Sequence, residues 1–343
     1  MARRLQCGGD GVDEIQIGKW LEELVGQSEV FLAMTQKIPV IAATDVAVLI
    51  RGETGTGKEL CARAIHYLSP RRGGPFVVEN CGRLPADLIA NEFFGHEIGA
   101  FTGASGVTKG LIGRAEAGTL VLDEVDSLSV AAQAVLLRFL QDRLCQRLGG
   151  EESRIADVRV LASTNRELRA LVERGLFRGD LYYRLKVTEL VLPPLRQRSG
   201  DIELLARHFV EKYAREFKKP LTGLAPDCVD RLHAYYWPGN VRELEDVIIE
   251  AVIFSKSPLL QSDELNLPAP PAGGQNPLTA TFKVAKAIAV ENFEVAYLSQ
   301  VLKSAGYNIS QAAREAGMRP GAMWRLLRKH RLLPHLPEGH QAR

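Results

Sequence analysis

An apolar run, VAVLIR (46–51), leads directly into GETGTGKE (52–59), and that segment opens a helical pattern, ELCARAIHYL (59–68). A buried strand, a loop with glycines at 52, 55 and 57, and a helix in immediate succession leave few folds open. In this context a GxxxxGK spacing turns backbone amides toward phosphate oxygens at a helix N-terminus, where the helix dipole favours anions. Gly52, Glu53, Thr54, Gly55, Thr56, Gly57 and Lys58 form such a loop, with Lys58 placed to reach the β- and γ-phosphates. The next residue is Glu59, where a Ser or Thr hydroxyl usually ligates Mg²⁺.

Four more short apolar runs follow: FVVE (76–79), TLVLDE (119–124), VRVLAS (158–163) and TELVL (188–192), with helical patterns between them. Continuous apolar strands alternating with helices predict a parallel sheet covered on both faces. Asp123 and Glu124 end one strand, where α/β sheets bind ligands. Asp123 suits Mg²⁺, through water, and Glu124 suits the orientation or deprotonation of an attacking water. Thr164 and Asn165 end the next strand and are suited to the γ-phosphate or the water. FRGDLYYRL (177–185) carries Arg178 and Arg184. Either could stabilise a transferring phosphoryl group, although spacing alone favours a salt-bridged surface helix with Arg178 beside Asp180.

GHEIGAFTGA (95–104) fits neither a period of 2 nor one of 3.6, and sets Phe101 between glycines. After LPPLRQR the pattern turns helical, with Asp201 as an expected N-cap and further helices near 226–235 and 240–254. NLPAPPAGGQNP (266–277) reads as a linker. The five cysteines are scattered, without metal-ligand spacing. Reduced thiols, the absence of a signal peptide and the lack of a run of about 20 apolar residues point to a cytoplasmic protein without a membrane contact.

The motifs GETGTGKE, GHEIGAFTGA, GTLVLDE, STN, FRGDLYYRL, LPPLRQRSGDI and WPGNVRELE occur in this order. From about Leu24 to Leu265 the chain resembles the AAA+ activators of sigma-54 RNA polymerase, the bacterial enhancer-binding proteins. The resemblance implies an AAA+ P-loop NTPase with a helical lid, ATP and Mg²⁺ as cofactors, and hydrolysis that remodels a closed polymerase–promoter complex. It makes Gly52–Glu59 the Walker A segment, with Glu59 ordinary for the family, and Asp123 and Glu124 the Walker B pair. Asn80 holds Glu124 until the nucleotide state changes. Thr164 and Asn165 form sensor I, and Arg242 is sensor II. Arg178 and Arg184 become fingers acting on a neighbouring subunit's ATP, which implies a ring, usually a hexamer, homo- or heteromeric. Gly99, Ala100, Phe101, Thr102, Gly103 and Ala104 form the loop that grips sigma-54. One departure is DEVDSL: Asp126 stands where the family has glycine and Ser127 where it has glutamate, and Asp126 is expected to face solvent.

From Lys303 onward the chain carries eight Lys or Arg against two acidic residues, a charge bias suited to nucleic acid. GYNISQAAREAGMRPGAMWRLLRKHRL (306–332) reads as helix-turn-helix, with Ser310 as N-cap, Gly317 in the turn, Pro320 at the second helix start, and Trp324 and Leu327 facing the core. Arg319, Arg325, Arg328 and Lys329 are then candidate contacts to DNA. The pattern resembles the Fis-type domain of the same family, which binds upstream enhancer DNA; the plainer alternative is a basic hairpin for partner docking. Resemblance to a Fis-type domain implies that Phe293, Tyr297 and Val301 lie on a preceding helix that packs dimers. The expected organisation is an extension at 1–24, an α/β ATPase unit at 25–193, a helical lid at 194–265, a linker at 266–280 and an all-α helix-turn-helix unit at 281–343. A receiver domain does not fit in the first 24 residues, so control by a separate regulatory protein or heteromeric partner, or by abundance, is expected. The alternative overall reading is a nucleotide-regulated DNA-binding repressor.

Overall fold

A computed structural model describes residues 24–85, 88–101, 104–267, 282–330 and 332. The expected extension, apart from Leu24, most of the expected linker, and Thr102 and Gly103 lie outside them.

The strands up to residue 191 are β1 (Val48–Arg51), β2 (Phe76–Asn80), β3 (Thr119–Asp123), β4 (Leu144–Gln146), β5 (Ser153–Ile155), β6 (Arg159–Thr164) and β7 (Thr188–Val191). Five of them form a sheet in the order β2-β3-β6-β1-β7, and every pairing in it is parallel. All five predicted strands are present, within two residues at each end. β4 and β5 instead make a small antiparallel hairpin, which the sequence reading missed.

The helices of this part are α1 (Glu29–Thr35), α2 (Lys37–Ala42), α3 (Lys58–Tyr67), α4 (Ile89–Phe94), α5 (Gly110–Arg114), α6 (Val130–Asp142), α7 (Leu168–Glu173) and α8 (Gly179–Leu185). Alternate residues of a strand face opposite sides of a sheet, and here each face has its own core. Leu49, Leu120, Leu122 and Ala162 pack with α4 to α8 through Phe93, Leu111, Phe139, Leu168 and Leu181. Val48, Ile50, Val121 and Leu161 pack with α1, α2 and α3 through Phe31, Ile38 and Ile65. Full burial of each such side chain is worth about 1.5–3 kcal/mol. The apolar runs therefore set both the sheet and its two helical layers.

Three further helices follow: α9 (Asp201–Glu216), α10 (Pro226–Ala234) and α11 (Asn240–Phe254). Asp201 does not cap α9 as the sequence suggested. It is fully buried, and its carboxylate accepts from the backbone amides of Gln27 and Ser28 at 2.7 and 2.9 Å, from Ser28 Oγ at 2.8 Å and from Arg198 Nε at 2.8 Å. It thus ties the chain entering α1 to the start of α9. Burial opposes its charge, but the Gln27 amide, Arg198 and the Ser28 hydroxyl outweigh that and hold its carboxyl below the ordinary range.

Contacts divide the chain into two compact units. One holds the described residues up to Lys212 with Gly239–Ile248, the other Tyr213–Pro238 with those from Ile249 onward. The second contains α12 (Phe282–Ser304), α13 (Ile309–Glu315) and α14 (Pro320–Lys329). Leu298, Leu302, Ala312, Ala313, Met323 and Leu327 make their common core, with Val301 packed against it. Gly317 turns the chain at φ +64°, and Pro320 opens α14. Asn308, not Ser310, caps α13, its side chain accepting from the Gln311 amide at 3.0 Å. Trp324 is 44% exposed rather than in the core, where Met323 takes the place expected of it; the Arg328 guanidinium lies 5.6 Å over its ring.

Candidate active site

The phosphate loop follows β1 at the open end of the sheet. Gly55 and Gly57 have φ of +80° and +94°, and α3 starts at Lys58. Those dihedrals are open to glycine at no steric cost, and they leave the first-turn amides of α3, which have no intrahelical partner, at the loop's concave side. Lys58 Nζ donates to the carbonyls of Gly52 and Glu53 at 2.9 and 3.1 Å. Partial burial pulls its pKa down, against the attraction of Asp123 and Glu124, so an incoming anion would meet a cation already short of solvent. Thr56 Oγ1 donates to the Glu53 carbonyl at 2.7 Å and braces the loop. Glu59 lies in the first turn of α3 and pairs with Arg63 at 2.7 Å.

The loop is clamped from the start of α11. The amides of Val241 and Arg242 donate to the Gly55 carbonyl at 3.0 and 3.3 Å, and Asn240 Nδ2 donates to the Thr54 carbonyl at 3.0 Å. A Cβ on Gly55 would come within 2.0 Å of the Gly239 carbonyl oxygen, so glycine is required there for this approach. Arg196 pairs with Glu53 at 2.7 Å, and that ion pair, with burial opposing and Asn240 assisting, keeps the Glu53 carboxyl below its usual range. Arg242 therefore stands beside the phosphate loop. Asn240 and Arg196 escaped the sequence reading; the PGN turn within WPGNVRELE was the available signal.

The polar strand ends gather at the same place. Asn80 ends β2 and donates through Nδ2 to Glu124 Oε2 at 3.2 Å. Asp123 accepts a short hydrogen bond from Ser163 Oγ, a partner the sequence did not suggest. Asn165 Nδ2 donates to Thr54 Oγ1 at 3.2 Å, bringing that residue onto the phosphate loop. Thr164 Oγ1 donates to Asp126 Oδ1 at 2.6 Å. Asp126 was expected in solvent; its side chain is only 5% exposed, because it turns inward to Thr164 and Arg166.

The donor set suits a nucleotide triphosphate: a lysine, helix-start amides and two acidic strand-end residues. It also suits Mg²⁺ held in the usual way, through one or two carboxylates and phosphate oxygens. Among the described residues no group of three or more His, Cys, Asp or Glu could hold a metal by itself.

Arg178 precedes α8, is exposed and pairs with Asp180 at 2.8 Å, the arrangement spacing alone favoured. Arg184, in the last turn of α8, lines a cavity of about 400 Å³ with Asp45, Val46 and Ala47. Those residues lead into β1 at the end opposite the phosphate loop, so Arg184 is not part of its own chain's nucleotide site.

The Phe101 segment is anchored at its base and exposes Ile98 and Phe101. His96 and Thr108 exchange backbone hydrogen bonds at 3.1 and 2.9 Å, Glu97 N donates to the Leu148 carbonyl at 2.9 Å, and Arg147 pairs with Glu97 at 2.6 Å. The β4–β5 hairpin is thus the loop's support. Gly95 and Gly99 have φ of +77° and +79°. Phe101 is 43% exposed and meets the His96 ring edge-on at 4.9 Å, and Ile98 is 69% exposed. Gly99 N donates to the Ala104 carbonyl at 3.0 Å, and Ala100 packs beside Gly149. In the second unit Arg319, Arg325, Arg328 and Lys329 are all exposed, and Lys329 pairs with Glu294 at 2.8 Å.

Fold and site together define an AAA+ P-loop ATPase with a C-terminal Fis-type helix-turn-helix. Residues 24–191 match the sigma-54 interaction domain family, residues 196–275 the AAA+ ATPase lid domain, and residues 289–330 the bacterial regulatory protein Fis family. The transcriptional regulatory protein GlrR of Escherichia coli K12 is 41% identical over 314 residues, 92% of this chain and 69% of that protein. Regulatory protein AtoC of the same organism is 50% identical over 225 residues, 66% of this chain and 49% of its own length. Among solved structures, NtrX from Brucella abortus in complex with ADP is 32% identical, with a TM-score of 0.65 over 92% of this chain and 72% of that one. The chain belongs to the family of sigma-54-dependent AAA+ transcriptional regulators.

Proposed function

We propose that this chain activates transcription by sigma-54 RNA polymerase, hydrolysing ATP to remodel the closed promoter complex from upstream DNA. The observation that supports the reading is that one compact unit holds both the phosphate loop with its gathered strand-end residues, Asn80 bonded to Glu124 among them, and the half-exposed Phe101 loop on its hairpin support. That loop lies within the polypeptide between β2 and β3, flanked by α4 and α5, so a change at Asn80 or Glu124 acts on the strands that bracket it.

In this reading Gly52–Lys58 cradle the phosphates, and Lys58 exchanges its carbonyl partners for phosphate oxygens. Glu124 orients or deprotonates the attacking water once Asn80 lets go. Asn165 and Arg242 report the γ-phosphate. Mg²⁺, when bound, would be held by Asp123 and would neutralise charge on the phosphate oxygens. Arg178 and Arg184 act on the neighbouring subunit's ATP in a ring, a hexamer of like or mixed chains. Arg184's distance from its own loop and Arg178's exposure support that trans role. Residues 99–104 carry the force to sigma-54. Arg319, Arg325 and Arg328 contact enhancer DNA, and Lys329 joins them once released from Glu294.

The test is in vitro transcription with purified sigma-54 polymerase, ATP and a supercoiled template carrying the upstream region. Open complexes that require this protein and hydrolysable ATP are the expected result. ATP hydrolysis with no effect on sigma-54 promoters would overturn the assignment.

A further inference from the structure

The tips of β3 and β6 are joined by side-chain bonds that strand pairing does not require. Leu122 pairs with Ala162 in the sheet, so the residues just beyond stand at its open end. There Ser163 holds Asp123, and Thr164 Oγ1 donates to Asp126 Oδ1 at 2.6 Å. The same hydroxyl accepts from the Arg166 amide at 3.0 Å, and Arg166 Nε lies 3.4 Å from Asp126 Oδ2. Thr164 is fully buried. A hydroxyl has one proton to give. With it committed to Asp126, Thr164 has none for a phosphate oxygen, and both carboxylate oxygens of Asp126 are engaged.

The turn that Asp126 occupies begins at Glu124, which has φ +53°, a left-handed conformation uncommon outside glycine. Such a conformation persists when its surroundings hold it. The Ser127 amide donates to the Glu124 carbonyl at 2.8 Å from inside the turn, and the Asp126–Thr164 bond ties the turn to β6 from outside.

We propose that Asp126 is a positioning residue for hydrolysis. By fastening Thr164 it fixes the spacing between Glu124 and β6. Thr164 is thereby a fastener, and Asn165 is the residue at this strand end that meets the nucleotide. The role rests on the assignment of Glu124 and Asn165 to the hydrolytic site.

The experiment compares steady-state ATP hydrolysis and binding of a fluorescent ATP analogue for the full chain and for Asp126→Ala, Asp126→Asn, Thr164→Val and the double variant Asp126→Ala/Thr164→Val. Loss of the bond in Asp126→Ala should lower kcat about tenfold, with KM and analogue affinity within about twofold of the parent. Asp126→Asn keeps an oxygen that accepts the threonine proton and should recover kcat to within about threefold. Thr164→Val should resemble Asp126→Ala, and the double variant should be no slower than the slower single one. A normal kcat in Asp126→Ala, equal damage from Asp126→Asn, or multiplicative losses in the double variant would each overturn the proposal. Should Asp126→Ala fail to fold, slow Thr164→Val with near-normal Asp126→Asn supports it, and normal Thr164→Val sinks it. Glu124→Ala is the separate control: full turnover in that variant would mean the site assignment itself is wrong.

Discussion

Asn80 Nδ2 and Glu124 Oε2 are 3.2 Å apart, and the Asn80 oxygen is itself pinned by the Gly82 amide at 2.9 Å. β2 and β3 pair so that Asn80 lies opposite Asp123, one residue short of the glutamate. The carboxylate expected to act on water is therefore occupied by a donor whose own orientation is fixed. A typical hydrogen bond contributes about 0.5–1.5 kcal/mol net, or about two- to twelvefold in an equilibrium. Asn80→Ala should raise basal ATP turnover by an amount in that range while ATP binding is unchanged. A coupled-enzyme assay without sigma-54 checks this, and a fall in turnover would show that the bond aligns the glutamate rather than restraining it.

Arg178 forms a charged pair with Asp180 on an exposed surface. Exposed pairs are weak, so a neighbouring subunit's triphosphate could draw the guanidinium away at little cost. Arg178→Ala should bind ATP with parental affinity and lose about 10³-fold or more in kcat. Mixing it with Glu124→Ala gives the sharper measurement. If the arginine acts across subunits, mixed rings contain sites with both groups intact and regain part of the activity. No recovery at any mixing ratio would place the arginine in its own chain's site.

Strand positions were legible because five apolar runs had no other way to be buried, and the phosphate loop because glycine spacing and helix start coincide in a few residues. Partners across the fold were not. Asp201 has the local signature of an N-cap, and nothing near it in the chain announces Gln27 and Ser28. Asp126 read as solvent-facing because its partner, Thr164, lies on another strand. Trp324 and Met323 are adjacent, and helix phase alone did not say which turns inward. Local chemistry can be read from local residues; a carboxylate's partner 38 or 173 positions away comes from the topology.

Phe101 has a ring neighbour in His96 but remains 43% exposed on a loop held at its base by backbone bonds to Thr108 and Leu148. Its removal leaves that base intact. Phe101→Ala should keep ATP turnover within about threefold of the parent and lower sigma-54-dependent open-complex formation by at least tenfold, as loss of an aromatic anchor at an interface does. Measuring both on one preparation separates the cases. Equal loss of the two activities would make the phenylalanine a structural residue.

His66 is 1% exposed between α3 and the sheet, its Nδ1 2.9 Å from Thr119 Oγ1 and its ring against Phe76 and Tyr67. Burial, reinforced by the nearby charge of Arg159, depresses its pKa to about 4. The folded protein therefore keeps it neutral, while the unfolded chain takes up a proton below about 6.5. Stability should be insensitive to this group above that value and fall as the pH drops from there toward 4, reaching a loss of about 3 kcal/mol at pH 4. Asp201, with its depressed carboxyl, adds a loss of the same sign at lower pH. Urea unfolding of the parent and of His66→Gln between pH 7.5 and 4.5 measures the effect. The substitution should lower stability at neutral pH and flatten the decline below pH 6.5, and parallel curves for the two proteins would mean that His66 titrates normally in the fold.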